Sequence, residues 1–508
     1  IDLRQSIEAA GGIEAETSAH YADLVLENWA GGVIQSFRAG PFLIQSRSGD
    51  GPTRIEIASA EARRLDISTL GHVLDPDKYR NGRGDRVWRS AVDSVLYSGI
   101  RITDEDDTEV AIAGIGVTDL DMRQPERPFT PMLERAAVRP DMSGEDEEAL
   151  ARELMPALLQ SFRVGDFWME GMQIGSTPDD ANGGLRRFAM TGLSADGIDR
   201  IALEGFNVTA PDAVVSLGVF ELAGLVFPEL DAIMRAAELG EAEDDAEAQE
   251  ELAQLAPLLL PKIARLLIEQ VSVTGDGIGP ITLDSYLGEA ERFVGAFPTE
   301  ARGTLTGLTI PSAVLNADPQ AAGFFRGLDI DSITIDFEAE GEYGQAEGRA
   351  RSSIVLAVRE LMSVTMEAEL LGLTESWATQ YTALAAGNPE AALPLLSDLK
   401  LIALTIEVDD QSMVDRGFAF AAEQQGRDAE AYREEITGAL PFLLGFLTDP
   451  IFRADVAGAF QTFLEGGRTI SIRIAPPAPV SVADIMVAAE ADPQGLPALL
   501  GAAVTSGE

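Results

Sequence analysis

Two histidines, His20 and His72, are the only imidazoles in the chain, and they lie about fifty residues apart with no ligand pattern around either. A Ser–His–acid relay would need one of them beside a nucleophile. The sequence holds no Gly-x-Ser-x-Gly elbow, no phosphate-binding loop and no dinucleotide fingerprint. There is no cysteine, which excludes disulfides, thiolate nucleophiles and cysteine-ligated metals. The acidic stretch Thr103–Thr108 offers oxygen ligands that suit Ca²⁺. It lacks the order of an EF-hand loop and reads as a solvated hairpin tip. Glu241–Glu251 resembles a metal-binding run, but leucines continue after it at helical spacing, so it reads as the start of a solvated helix. Arg83-Gly84-Asp85 has the letters of an adhesion tripeptide in a segment that reads as a loop. No reaction is legible; the expectation is a protein without catalytic residues, metal or cofactor.

The remaining chemistry is hydrophobic. Phe167, Trp168, Met169 and Met172 cluster in one stretch, Phe324 and Phe325 in a second, and Phe442, Leu443 and Phe446 in a third. Methionine and aromatic side chains adapt to apolar ligands, so these nine are the candidate ligand-lining residues.

The elements that must position them carry a recurrent phrase, apolar–x–Gly–apolar–x–apolar. It occurs at Tyr97–Ile102, Ile112–Val117, Met169–Ile174, Met190–Ala195, Leu203–Val208 and Leu305–Ile310. Its alternation predicts strands with one buried face, and its glycine predicts a bulge, a bend or a close backbone approach. Recurrence predicts repeated hairpins sharing one core. A second phrase, Leu-(x)-Pro-x-Leu, recurs around Pro156, Pro257, Pro394, Pro441 and Pro497, mostly within helical patterns.

Along the chain, residues 20–125 read as β-rich, with Leu65 and Ile67 continuing an alternation and a hairpin pair over Tyr97–Met122. Leu150, Leu154, Leu158 and Phe162 form a helical stripe, capped by Ser143. Val219 to about Gln270 reads as helical, through Leu252, Leu255, Leu259 and Ile263. Alternating strands with one acidic face follow at Ile333–Glu340, Val364–Leu370 and Ile402–Asp409, then helices over 411–466 and a strand at Thr469–Ile474. The fold class is α+β: bent antiparallel β-sheets of diverged hairpin-plus-helix repeats, with amphipathic helices on the apolar face. Three regions are expected, 1–135 (β-rich), 136–320 (helix-plus-hairpin repeats) and 321–508 (antiparallel sheet with helices).

The 508 residues carry 37 Lys+Arg against 84 Asp+Glu, a formal charge of −47. Such a field repels nucleic acid and anionic headgroups and excludes nucleic-acid binding as a function class. No apolar run is long enough to span a bilayer as a helix. The first residue is Ile1 rather than Met, so a removed signal or anchor is expected.

Leu404–Asp409, Met413-Val-Asp-Arg416, Ala421–Gly426, Leu440–Leu444 and Thr469–Ile474 with Pro476-Pro477 resemble segments of uncharacterised proteobacterial envelope proteins of the YdgA type. Leu74–Tyr79 with Gly84–Trp88 resembles a segment of their alphaproteobacterial members. The strand-rich repeats add a similarity to lipid-handling proteins of the AsmA type. The resemblance implies a periplasmic or cell-envelope location and carries no activity with it. The leading expectation is a non-enzymatic envelope protein that binds or shields a hydrophobic ligand, lipid in particular. The alternative is an envelope scaffold with a fully packed core and a protein partner.

Overall fold

The computed structural model describes residues 2–8, 14–48, 51–104, 108–128, 130–138, 150, 154, 156–175, 181–240, 248, 251–252, 255, 258–294, 297–344, 348–374, 377, 395, 397 and 399–507. It is mostly antiparallel sheet with helices, an α+β chain. Contacts divide it into unit 1 (Ile1–Arg235 with Pro261–Ile263) and unit 2 (Ala236–Leu260 with Ala264–Glu508). The break thus falls inside the expected middle region.

Unit 1 begins with β1 (Asp2–Glu8), β2 (Glu14–Tyr21), β3 (Val25–Ala30), β4 (Val33–Ala39), β5 (Phe42–Ser48) and the long β6 (Gly51–Asp66). It continues with β7 (Arg89–Thr103), β8 (Glu109–Met122), β9 (Phe162–Ile174), β10 (Asn182–Leu193), β11 (Gly197–Ala210) and β12 (Ala213–Val226). From β6 to β12 each strand pairs antiparallel with the next. One half of β6 carries β5, which in turn carries β2 and β1; the other half carries β4 and β3.

Unit 2 is a second antiparallel succession: β13 (Lys262–Gly275), β14 (Ile278–Val294), β15 (Phe297–Pro311), β16 (Ser332–Gly344), β17 (Arg349–Val358), β18 (Met362–Leu371), β19 (Lys400–Asp410) and β20 (Thr469–Ile474). β21 (Val480–Ser481) pairs the start of β19, and β22 (Ala502–Gly507) pairs β20. Its core gathers Leu328, Ile330 and Leu361, with Phe325, Met413 and Phe420 from the helices Pro319–Gly327 and Met413–Gln424 packed against them. Arg416 donates to the carbonyls of Leu328 and Asp329 at 2.9 and 2.7 Å, satisfying acceptors just past the first helix. The Met413–Arg416 segment is therefore explained by packing and capping.

Four expectations are corrected. Ile67 does not extend the strand: Asp66 ends β6 and caps the helix Ile67–Leu74 by accepting from the Thr69 N–H at 3.0 Å. Phe162 is the first residue of β9, not the end of a helical stripe. The span from Val219 is β12 up to Val226, and the helix there is Leu230–Gly240. Ile263 already belongs to β13. On β12 a leucine-rich strand mimics a helical stripe, because a period-three interval, Leu222 to Leu225, occurs inside it for the reason given next. The tract 241–247, Ser143 and the tip 105–107 lie outside the described residues. The helices expected over 411–466 are present as Met413–Gln424, Ala429–Leu443 and Pro450–Leu464.

The glycines of all six phrases fall in strands, the fourth phrase running past the end of β10 into the turn at Ala195. Five of their central glycines, Gly99, Gly171, Gly192, Gly205 and Gly307, hold left-handed backbone with φ between +62° and +69°. Gly114 does not; it lies under the Trp168 ring, where a Cβ would come within 3.2 Å of Cζ3. Five further strands carry the same kink: Gly224 on β12 (φ +62°), Arg64 on β6 (+43°), Asp119 on β8 (+52°), Gln270 on β13 (+55°) and Arg292 on β14 (+50°). Every strand from β6 to β15 thus contains one left-handed residue.

Candidate functional site: an apolar strip between two creases

Register aligns these kinks into rows. In unit 1 one row runs Ala58, Gly99, Ala113, Gly171, Arg186, Gly205, Gly218 across β6 to β12. A second, six residues away on every strand, runs Arg64, Asp93, Asp119, Gly165, Gly192, Asp199, Gly224. Within each row the left-handed residues occupy alternate strands. Six residues of strand place the two creases about 20 Å apart.

Each crease changes the side-chain phase. Away from it apolar residues recur at intervals of two; across it the interval is three, as from Met169 to Met172 on β9 and from Ile115 to Ile112 on β8. The same side of the sheet therefore stays apolar on both flanks. Direct packing confirms this at the β4–β6 end. There Ala39 and Ala60, before the crease, form one cluster with Phe42 beyond it, and Phe37, Ile44 and Ile57 pack on that cluster. In unit 2 the row Gln270, Asp284, Gly307 repeats the device across β13 to β15. A bulge between Leu305 and Leu308 opposite Phe337 and Ile335 then cancels the slip; β16 to β20 hold no left-handed residue and pair with one further register shift, between Glu369 and Leu370 on β18.

Between the creases of unit 1 the apolar side is a strip two rows wide. One row is Val95, Val117, Phe167, Met190, Ile201, Leu222; the other is Tyr97, Ile115, Met169, Phe188, Leu203, Phe220. Phe167 and Phe188 meet edge to face at 6.0 Å. These side chains are half-buried, except Tyr97, which is exposed. The strip crosses six strands, about 24 Å at ordinary strand spacing.

Of the nine candidate residues, Phe167 and Met169 lie in this strip, and Met172 lies in the next apolar row beyond the first crease. Trp168 points to the other side, flat on β8: a Cβ at Gly116 would come within 2.4 Å of its ring. Phe325 belongs to the unit 2 core, and Phe324 stacks on Phe325 and Phe420 at 5.6 and 6.3 Å. Phe442, Leu443 and Phe446 are exposed at the end of a helical hairpin in unit 2. The nine therefore occupy separate places. As strip residues Phe188, Met190, Leu203 and Phe220 escape the sequence reading, although Met190 and Leu203 open two of the glycine phrases and Phe188 lies two residues before Met190.

Along the Ala58–Gly99–Ala113–Gly171 row runs a depression of about 960 Å³, lined by apolar Phe42, Ile57, Ile100 and Ile112 and rimmed by His20, Arg54, Glu56, Arg101 and Gln173. Arg54 pairs with Glu56, and Arg101 pairs with Glu109 at 2.7 Å. Among the described residues no group of three or more His, Asp or Glu is placed to hold a metal.

The residues of the loop before β7 serve structure. Asp85 of the Arg-Gly-Asp tripeptide is held by Arg89 and accepts from the Val87 N–H, with His72 Nε2 3.3 Å away. The Arg89 hydrogen bonds hold its carboxyl well below the usual carboxylate range. Burial, with the nearby Asp85 charge, pushes Tyr79 up to about 12, so its hydroxyl stays neutral and donates to the Val73 carbonyl at 2.8 Å. Trp88 lies between the guanidinium groups of Arg123 and Arg163, 4.3 and 4.8 Å from its ring centre.

A carboxylate also anchors the unit 2 crease. Asp336 receives two hydrogen bonds from Arg359, at 2.6 and 2.8 Å, and one at 2.8 Å from the N–H of the left-handed Gly307. The Arg359 bonds, then the Gly307 bond, lower its pKa against the opposing effect of burial. A lowered folded-state pKa stabilises the fold above the unfolded value near 3.9, and that contribution is lost as pH falls. Asp336→Asn is expected to destabilise the fold at pH 7 by about 1 kcal/mol after allowing for solvent screening, read as a lower melting temperature. The gap between variant and parent should narrow as pH falls below the ordinary carboxylate range and through the lowered folded-state pKa. A gap that is constant with pH would mean the carboxylate charge is immaterial.

A model of an uncharacterized protein family matches residues 355–507, which spans β17 to β22 and the helices between them. No protein with a curated description matches the chain.

Proposed function

We propose that this protein is a non-enzymatic cell-envelope protein that binds or shields a hydrophobic ligand, a lipid in particular, along the creased apolar strip of unit 1. One observation carries the reading. Seven strands each carry one left-handed residue, five of them glycines, aligned in two rows, and the result keeps an unbroken apolar band on one side of the sheet. An ordinary packed core needs no such device, because strict alternation already gives one apolar face. The band is left half-buried by its own fold, so a chain-like apolar ligand laid across it would remove further surface from water. The acidic exterior keeps such a body soluble and free of anionic surfaces.

One left-handed residue per strand from β6 to β15 supports a history of hairpin duplication, and the packing of helical Phe325, Met413 and Phe420 together with strand residues Ile333 and Val358 on the Leu328–Ile330–Leu361 cluster supports helices docked on the apolar face in unit 2. The envelope location rests on the resemblance alone. Native mass spectrometry of protein taken from its source, with organic extraction of the same sample, tests the reading. A co-purifying apolar molecule in stoichiometric amount is the expected result. A ligand-free mass, with no thermal stabilisation by any of a panel of lipids, would overturn it in favour of a packed scaffold.

A further inference from the structure

In unit 2 the helix Ala429–Leu443, the short turn Leu444–Phe446 and the helix Pro450–Leu464 form a hairpin whose helices pack on each other. Its apex presents Phe442, Leu443, Phe446 and Ile451 at 87%, 56%, 65% and 73% exposure. Trp29, Met486 and Val487 are exposed to a similar degree elsewhere, but here four large apolar side chains share one end of a hairpin.

The charge pattern of this segment is as unusual as its exposure. From Thr437 to Phe452 there is one charged residue, Asp449, in a chain that is 24% charged and carries −47. That carboxylate is spent on capping: it accepts from the N–H groups of Ile451 and Phe452 at 2.8 and 3.1 Å. The apex is also fixed in place, because Thr448 donates through its N–H and its hydroxyl to Gln494 Oε1 at 3.1 and 3.3 Å. These four side chains are therefore held outward by a braced turn.

The surface that receives such an apex must be apolar beneath and electrically neutral above. An anionic bilayer would repel the surrounding acidic protein, and a cationic surface would draw the acidic faces instead of this end. We infer that the hairpin apex seats Phe442, Leu443, Phe446 and Ile451 in the interfacial zone of a zwitterionic lipid surface. This rests on the lipid reading above, for which it supplies the place where protein and lipid surface meet.

The test is flotation of the full chain with phosphatidylcholine vesicles, comparing the parent with the Phe442→Ser/Phe446→Ser double variant. Both side chains are exposed, so the variant should fold, and circular dichroism checks it. The expected result is a loss of vesicle partitioning of about tenfold or more. Parent binding should be insensitive to salt, and phosphatidylglycerol in the vesicles should weaken it at low salt. A Phe442→Trp reporter should show blue-shifted emission on adding vesicles.

Equal flotation of parent and double variant would overturn the proposal, as would an unchanged reporter. Concentration-dependent dimerisation abolished by the same double variant would also overturn it, assigning the apex to a second copy. Lipid extracted from the protein without vesicle binding would sink the apex and leave the strip standing. Vesicle binding with no extractable ligand would do the reverse.

Discussion

Gly307→Ala is expected to destabilise unit 2 by about 2–3 kcal/mol, whereas Gly303→Ala on the same strand is expected to change stability by less than about 0.5 kcal/mol. Gly307 has φ +69°, and an added Cβ would come within 2.1 Å of Asp284 Oδ2. The left-handed backbone alone costs an L-residue about 1–2 kcal/mol, and the carboxylate must also swing away. Gly303 has ordinary backbone and nothing within 4 Å of a new Cβ. Adding Asp284→Ala to Gly307→Ala should recover only the steric part. Gln270→Gly, which relieves a non-glycine left-handed residue in the same row, should be neutral or stabilising by about 1 kcal/mol. Thermal and denaturant melts of these four variants decide the matter. Equal losses at Gly307 and Gly303 would mean that the kink is dispensable.

A second large effect is expected in the strip. Met169→Asp combined with Phe188→Asp places two carboxylates side by side in register on β9 and β10, where both neighbouring rows are apolar. Charges there cannot be covered by an apolar ligand without losing their water, a penalty of several kcal/mol. Nile red fluorescence in the presence of the protein should fall by about an order of magnitude or more, and co-purifying lipid should disappear. Both positions are half-buried, so the native far-ultraviolet dichroism should survive. Arg187→Asp with Glu170→Arg, a polar pair on the opposite side of the same strands, is the matched control and should leave dye binding intact. Dye binding retained by the strip variant would move the ligand elsewhere.

Much of the fold is legible in the residues. The antiparallel strands at 333–340, 364–370 and 402–409 show in strict alternation with acidic residues, because the bulge at Leu305–Leu308 has already restored a period of two. The glycine phrases mark five of the ten kinked strands. Gly224 sits in a seventh copy of the phrase, hidden inside an apolar run where Leu222 and Leu225 look helical. Arg64, Asp119, Gln270 and Arg292 are silent, since nothing in those letters declares positive φ when tertiary pairing imposes it. The candidate site was half visible. Phe167 and Met169 were found as an aromatic and methionine cluster, but Trp168 came with them. Adjacent strand residues face opposite ways, and composition alone cannot separate them.

The alternation of kinked and straight strands within each crease also limits how such a sheet can grow or shrink. Excising one strand would bring two left-handed residues face to face and reverse the chain's direction, whereas excising two restores both the order and the direction. Hairpins are therefore the smallest currency in which this architecture could have been lengthened during its ancestry, and an inherited length change here should come in pairs of strands.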